Sequence, residues 1–436
     1  MAIAVLKRML ERGSQRDGAM QGSWLRVPQI VTGVVAAVGI TLHLTDGLFG
    51  TALPPFVSAF GLRASLWALA AVALVLIAVP ARRFLETLRP STFAVCCFVL
   101  ALSLGLGLNA ARSGPAAWDN VFTQRSFESV NEYLPGLPAV DYGVYFYLDR
   151  VAELVPALPV NVAGHPPGPL LLLHWLGIRD AAGLAALCIG VGSLTAPLTY
   201  ALARGVGSEE RARSAALLCA FSPGLLLFGA TSFDYVFAAL GTGAAALLVR
   251  GGWWRVLGCV AFACAAMFSW ALLAVGPLCA LLVLQHEGWR RAVILAVGCG
   301  VAVLALNGLL AVAYGYDPIG TLRATDHDYV VGIASTRPYL FWLFGSPVAW
   351  AVSLGLPISA AALRALARRE PAALALAAVV VVCALGGFTK AETERIWLFL
   401  IPWACLAAAG RRPSGRTLWL LGLQGLVTSL CFSTIW

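Results

Sequence analysis

Acid, base and anion-binding side chains are scarce in this chain and confined to a few short stretches. The segment from about Arg112 to His165 holds Asp119, Glu128, Glu132, Asp141 and Asp149, and closes on His165-Pro166-Pro167-Gly168. A tight turn carries Asp234, a later loop carries Asp326, His327 and Asp328, and KAETER places Lys390, Glu392, Glu394 and Arg395 within residues 390–395. A carboxylate at a desolvated interface has a raised pKa and can take a proton from a hydroxyl near neutral pH. A guanidinium offers paired N–H donors to two oxygens of an oxyanion, whereas an ammonium acts as a point charge. Each group also has a plainer reading. Asp141 and Asp234 sit where they would cap a following helix, and Asp149 is placed to pair with Arg150. His165 suits a ligand contact or a simple helix entrance, since Pro166 and Pro167 fit the N–H-poor first turn of a helix. Asp326 and His327 are neighbours in an expected extended loop, where successive side chains point opposite ways. That makes a poor metal cage, and leaves an acceptor contact or a solvated loop.

The elements that must position these groups are membrane helices. The 436 residues are 60% hydrophobic and only 12% charged, with a mean hydropathy of +0.83. A soluble domain carries about 25% charged residues. The net charge of +9 falls in short arginine clusters between apolar runs. Such clusters set topology, and the pattern argues against nucleic-acid binding. All eleven cysteines lie inside apolar runs without metal-ligand spacing, so they read as small core residues.

Thirteen apolar runs are long enough, or nearly so, to span: about 27–43, 64–80, 92–110, 182–203, 214–230, 232–250, 254–269, 270–285, 291–313, 340–363, 371–388, 396–409 and 417–434. With Lys7, Arg8, Arg12, Arg16 and Arg26 placing the N-terminus in the cytoplasm, every later arginine pair or triplet falls on that same side. This holds only if the half-length apolar segment 166–178 does not cross. That segment then lies against the outer leaflet as an interfacial helix. A second amphipathic helix is expected over DYGVYFYLDRVAEL, with Tyr147, Val151 and Leu154 on one stripe and Asp149, Arg150 and Glu153 on the other. The carboxylates, His165 and the KAETER turn all fall on the extracytoplasmic side.

An apolar helix, an acidic loop with a juxtamembrane helix, His165-Pro166-Pro167-Gly168, a second juxtamembrane helix and a helix ending in arginine resemble the GT-C superfamily of lipid-phosphosugar glycosyltransferases. Protein O-mannosyltransferases have a similar His-Pro-Pro element and lipid A aminoarabinose transferases a similar Pro-Pro element; KAETERIWLFLIPW resembles a late loop of bacterial members. The likeness covers roughly residues 92–409. It implies an all-α polytopic fold with a cytoplasmic segment 1–26, two extra transmembrane helices over 27–90, and a catalytic domain 91–436 with its outer loop at 111–181. It further implies an inverting transfer of a sugar from a polyprenyl-phosphate donor to an envelope glycan, lipid or protein hydroxyl at the outer face of the plasma membrane. A first-loop carboxylate would be the general base, with Glu132 and Asp141 the leading candidates and Asp119 the third. Arg395, then Lys390, would bind the donor phosphate, and His165, Asp234, Asp326, His327 and Glu392 would contact substrate. A divalent cation, magnesium or manganese, is compatible with this chemistry. Two rival classes stay open. One is a multi-pass transporter or flippase, against which stand the lack of an internal repeat and of charges within the spans. The other is a non-catalytic envelope-assembly subunit.

Overall fold

Every long element of the computed structural model is a helix, as the apolar runs demand. It describes residues 24–45, 51–123, 126–410 and 413–434. Lys7, Arg8, Arg12, Arg16, Arg125, Arg411 and Arg412, and most of the 1–26 segment, lie outside the described residues. The N-terminal part comprises α1 (Trp24–Thr45), α2 (Trp67–Leu85) and α3 (Pro90–Ser113), with β1 (Ser58–Phe60) between the first two. The first large loop contains 3-10 turns and four short helices: α4 (Pro138–Asp141), α5 (Val144–Leu154), α6 (Val160–Ala163) and α7 (Gly168–Leu176). There follow α8 (Ala181–Ser193) with α9 (Thr195–Val206), α10 (Glu209–Ala220), α11 (Pro223–Leu227), α12 (Asp234–Leu248) and α13 (Trp253–Ala266). Next come α14 (Val275–Glu287), α15 (Trp289–Tyr314), α16 (Pro318–Val331), α17 (Tyr339–Leu354) and α18 (Leu356–Ala367). The chain ends with α19 (Pro371–Gly386), α20 (Thr393–Ile396), α21 (Ile401–Ala408), α22 (Gly415–Cys431) and β2 (Phe432–Thr434). The short β2 pairs antiparallel with β1, tying the chain's end to the loop after α1.

Six helices among the described residues are long and apolar enough to cross a membrane, or seven if α17 and α18 count as one bent span. Several of the thirteen runs thus take shorter forms. Run 214–230 is divided between α10 and α11, because Pro223 removes a helical donor and turns Ser222 to extended backbone. Run 340–363 bends by 116° between α17 and α18. Gly355 sits at that bend with φ +111°, and a Cβ there would meet Leu421 Cδ2 at 2.4 Å. α12, α13 and α19 have 15, 14 and 16 residues, below the length of about 20 that a straight span needs.

The half-length segment has a clear reason to stop. Gly177 is left-handed, and the Ile178 N–H reaches the Leu173 carbonyl in a Schellman closure. Asp180 then caps α8 by accepting from the Gly183 N–H. α7 is nine residues, about 14 Å, against a hydrocarbon core of about 30 Å. In α5, Tyr147, Leu148 and Val151 are buried and Asp149, Arg150 and Glu153 exposed, while Leu154, expected on the buried stripe, is only half-buried.

Loop contacts sort into two sets. In one, Arg82 donates to the Pro413 carbonyl, Arg213 to the carbonyls of Leu85, Glu86 and Leu88, and Arg211 pairs with Glu370. In the other, residues from the first large loop, the turn before α12, the α16 region and the turn before α20 contact each other, as set out next.

Candidate functional site

The residues around Arg395 come from four separate parts of the chain. Ala391 and Glu392 adopt left-handed backbone, φ +65° and +59°, immediately before α20. Neither is glycine, so each costs roughly 1–3 kcal/mol of strain. The turn places Glu392 between two guanidiniums. Its Oε2 lies 3.3 Å from Arg395 Nη2, and its Oε1 accepts from Arg337 Nη2. Arg395 Nε lies 3.6 Å from Asp234 Oδ2, at the start of α12, and its Nη1 lies 3.7 Å from Glu132 Oε1, in the first large loop. Its Nη2 also donates to Asn161 Oδ1 on α6 at 3.3 Å. Only about 5% of Arg395 is exposed and 1% of Glu132, so these charges interact with little water between them.

Each partner is held in turn. Glu132 follows the 3-10 turn Glu128–Asn131 in extended backbone and accepts from Asn161 Nδ2 at 2.9 Å. Its other oxygen, Oε2, is buried without a hydrogen-bond partner. Asp234 makes no cap for α12; instead the Ser232 hydroxyl donates to its Oδ2 at 2.6 Å, leaving the carboxylate aimed at Arg395. His165 Nδ1 lies 2.5 Å from the Asn161 carbonyl and 3.3 Å from the Tyr133 hydroxyl. Its ring packs on Phe237, and Phe233 closes the wall against both Tyr133 and Phe237.

The proton affinities follow from burial. Glu132 is pushed up to about 8, chiefly by loss of water; Arg395 and Asn161 pull it down, while Glu128 and Asp234 add to the rise. Glu128 is raised by burial too, partly offset by Arg395. Burial lowers the basicity of His165 against the opposing pull of Asp234, so its ring is neutral near pH 7. For Arg395, burial works against the charge, but Asp234, Glu392, Glu132 and Glu128 outweigh it and hold the guanidinium ionised.

Of the residues singled out by sequence, Glu132, His165, Asp234, Glu392 and Arg395 meet here. The others do not. Asp141 is exposed and pairs bidentately with Arg179 at 2.5 and 2.7 Å, with His174 at 3.3 Å, stapling α4 to the end of α7. It ends α4 rather than capping α5, whose N-cap is Gly143. Asp119 lies between two 3-10 turns and makes no contact with the cluster among the described residues. Asp326 and His327 are exposed on α16, not in an extended loop: Asp317 caps that helix, and Thr325 rather than its neighbours faces the site, donating to the Ala163 carbonyl. Lys390 turns its ammonium to the Ala334 carbonyl at 3.1 Å. Arg337, to which the sequence reading gave no role, donates instead to the Lys390 carbonyl and to Glu392.

Asn161 is the residue that sequence reasoning passed over. A neutral amide in VNVAG gives no chemical signal, and only its spacing four residues before His165 hinted at a shared helix face. The His-Pro-Pro-Gly glycine has a packing reason: the Gly168 N–H donates to the Met267 carbonyl, and a Cβ would lie 2.4 Å from that oxygen. No three His, Cys, Asp or Glu side chains among the described residues are arranged to hold a metal ion. Compared with protein families, curated proteins and solved structures, the chain matches none of them.

Proposed function

We propose that the protein is an inverting glycosyltransferase of the GT-C type. It moves a sugar from a polyprenyl-phosphate donor to an envelope glycan, lipid or protein hydroxyl at the extracytoplasmic face of the plasma membrane. The observation that carries this reading is the buried contact of Glu132 with Arg395. It puts a carboxylate of raised pKa, with one oxygen unpartnered, 3.7 Å from a guanidinium able to bind phosphate. Glu132 Oε2 takes the acceptor's hydroxyl proton while the oxygen's electron pair forms the bond to the anomeric carbon. The anomeric carbon–oxygen bond to phosphate breaks on the opposite face, and polyprenyl phosphate leaves with that electron pair. Arg395, carried by Glu392 and Asp234, stabilises the negative charge gathering on the leaving phosphate. In this reading thirteen helices traverse the bilayer, the shorter ones packed within the protein, and α5 and α7 lie along the membrane surface beside the lipid's way in.

One observation favours a second reading. The 116° break between α17 and α18 is the sort of interrupted helix on which transporters and flippases build substrate sites.

The test is sugar transfer by purified protein in detergent, from labelled polyprenyl-phosphate mannose and arabinofuranose first, to envelope lipid and glycan extracts. Glu132→Gln and Arg395→Ala should abolish transfer, and Asp141→Asn should retain it. No transfer from any donor, with movement of labelled lipid across proteoliposome membranes, would replace the enzyme by the flippase; neither activity would leave an assembly subunit.

A further inference from the structure

Three contacts of the candidate site converge on one uncharged residue, two on its side chain and one on its main-chain carbonyl. Asn161 lies on α6 and is only 7% exposed. Its Nδ2 donates to Glu132 Oε1 at 2.9 Å, its Oδ1 accepts from Arg395 Nη2 at 3.3 Å, and its main-chain carbonyl meets His165 Nδ1 at 2.5 Å. The contact with Arg395 fixes the orientation of the amide, because a guanidinium only donates: Oδ1 turns to Arg395 and Nδ2 to Glu132. The main-chain contact fixes the imidazole. A carbonyl cannot donate, so His165 carries its hydrogen on Nδ1 and presents the lone pair of Nε2. A charged side chain here would disturb the pair, since an acid would repel Glu132 and a base would repel Arg395.

We propose that Asn161 is the positioning residue of this site. It locks Glu132 against Arg395 so that the carboxylate's unpartnered oxygen faces the reacting hydroxyl, and it sets the tautomer of His165. The chemical half of this inference rests on the glycosyl-transfer reading; the positioning half does not.

Asn161 acts on Glu132 by hydrogen-bonding its ionised form, which favours loss of the proton. The other groups facing Glu132 are Glu128 and Tyr133 from its own loop, Asp234 from α12, the Cys188 thiol from α8 and Arg395 from α20. Of these only Arg395 also touches the Asn161 amide, at 3.3 Å, so the displacement of the Glu132 titration reports the amide together with the guanidinium it holds.

The experiment follows the infrared band of the protonated Glu132 carboxyl, identified by its disappearance in Glu132→Gln, across pH 5 to 10 in detergent-solubilised protein. Asn161→Leu should raise the midpoint from its position near 8 by about one to two pH units, the worth of a hydrogen bond to an ionised group. Asn161→Asp, nearly identical in shape, keeps the packing and should also raise it, by adding a like charge. Where transfer is measurable, the rising limb of kcat against pH should move with the band, leaving the plateau at high pH largely intact. An unmoved midpoint in folded Asn161→Leu and Asn161→Asp would overturn the proposal. A displaced midpoint without transfer from any donor would uphold the positioning and remove the glycosyl-transfer reading instead.

Discussion

Replacing Glu132 by glutamine should make the protein's stability less dependent on pH, with a calculable size and sign. An unfolded glutamate titrates near 4.5, while in the folded protein burial pushes Glu132 up to about 8. Between these values the folded state keeps a proton that the unfolded state has lost. The stabilisation from this group is therefore complete below 4.5, declines as pH rises through the window, and is gone above about 8. At roughly 1.4 kcal/mol per pH unit, the full window amounts to about 5 kcal/mol. Glutamine has no such titration, so the stability difference, Glu132→Gln minus wild type, should climb from pH 5 to 8 and then level. Glu394, pushed up to about 7 by burial, titrates in both proteins and cancels to first order. Unfolding of detergent-solubilised protein followed by tryptophan fluorescence at half-unit pH intervals gives the comparison. Parallel pH profiles for the two proteins would refute the buried, proton-holding Glu132. A difference that falls with pH only below about 4.5 and is flat above it would mean that Arg395 dominates and the carboxylate is ionised throughout.

Other perturbations separate the framework of the site from its chemistry. Arg395→Ala leaves the buried carboxylates of Glu132 and Asp234 without their cation, while Glu392 keeps Arg337, and should lower stability by about 3–5 kcal/mol, read as a fall in the unfolding midpoint; an unchanged midpoint would mean the cluster is hydrated. Gly168→Ala puts a methyl group 2.4 Å from the Met267 carbonyl oxygen, a backbone atom that yields little. It should cost about 1–3 kcal/mol, measured by the same unfolding assay, and a neutral outcome would deny the close approach of α7 to the α13 end. Asp141→Asn weakens only surface contacts, to Arg179 and His174, and should leave the unfolding midpoint at pH 7 within about 0.5 kcal/mol of wild type.

How far the site was legible depended on whether a residue's chemistry was visible in its own letter. Helical runs and the charged face of α5 were legible in periodicity, and the short length of α7 in its half-length apolar run, because those signals act within a few residues; the Gly177 turn and the Asp180 cap that end and follow it came from the structure. Glu132, Asp234 and Arg395 stood out as charges in an apolar chain, where a charge needs a reason. Choosing among the first-loop carboxylates required knowing which one another segment would cover. Arg179, just past the short helix, claims Asp141, while α6 and α20 enclose Glu132, and neither event is written locally. Lys390 missed its expected place beside Arg395 for a similar reason. The left-handed pair Ala391-Glu392 turns the chain so that the lysine side chain leaves the cluster while its carbonyl anchors Arg337. Asn161 marks the limit of sequence reading in this chain. An amide becomes informative only when a carboxylate and a guanidinium approach its two ends, and those lie 29 and 234 residues away along the chain.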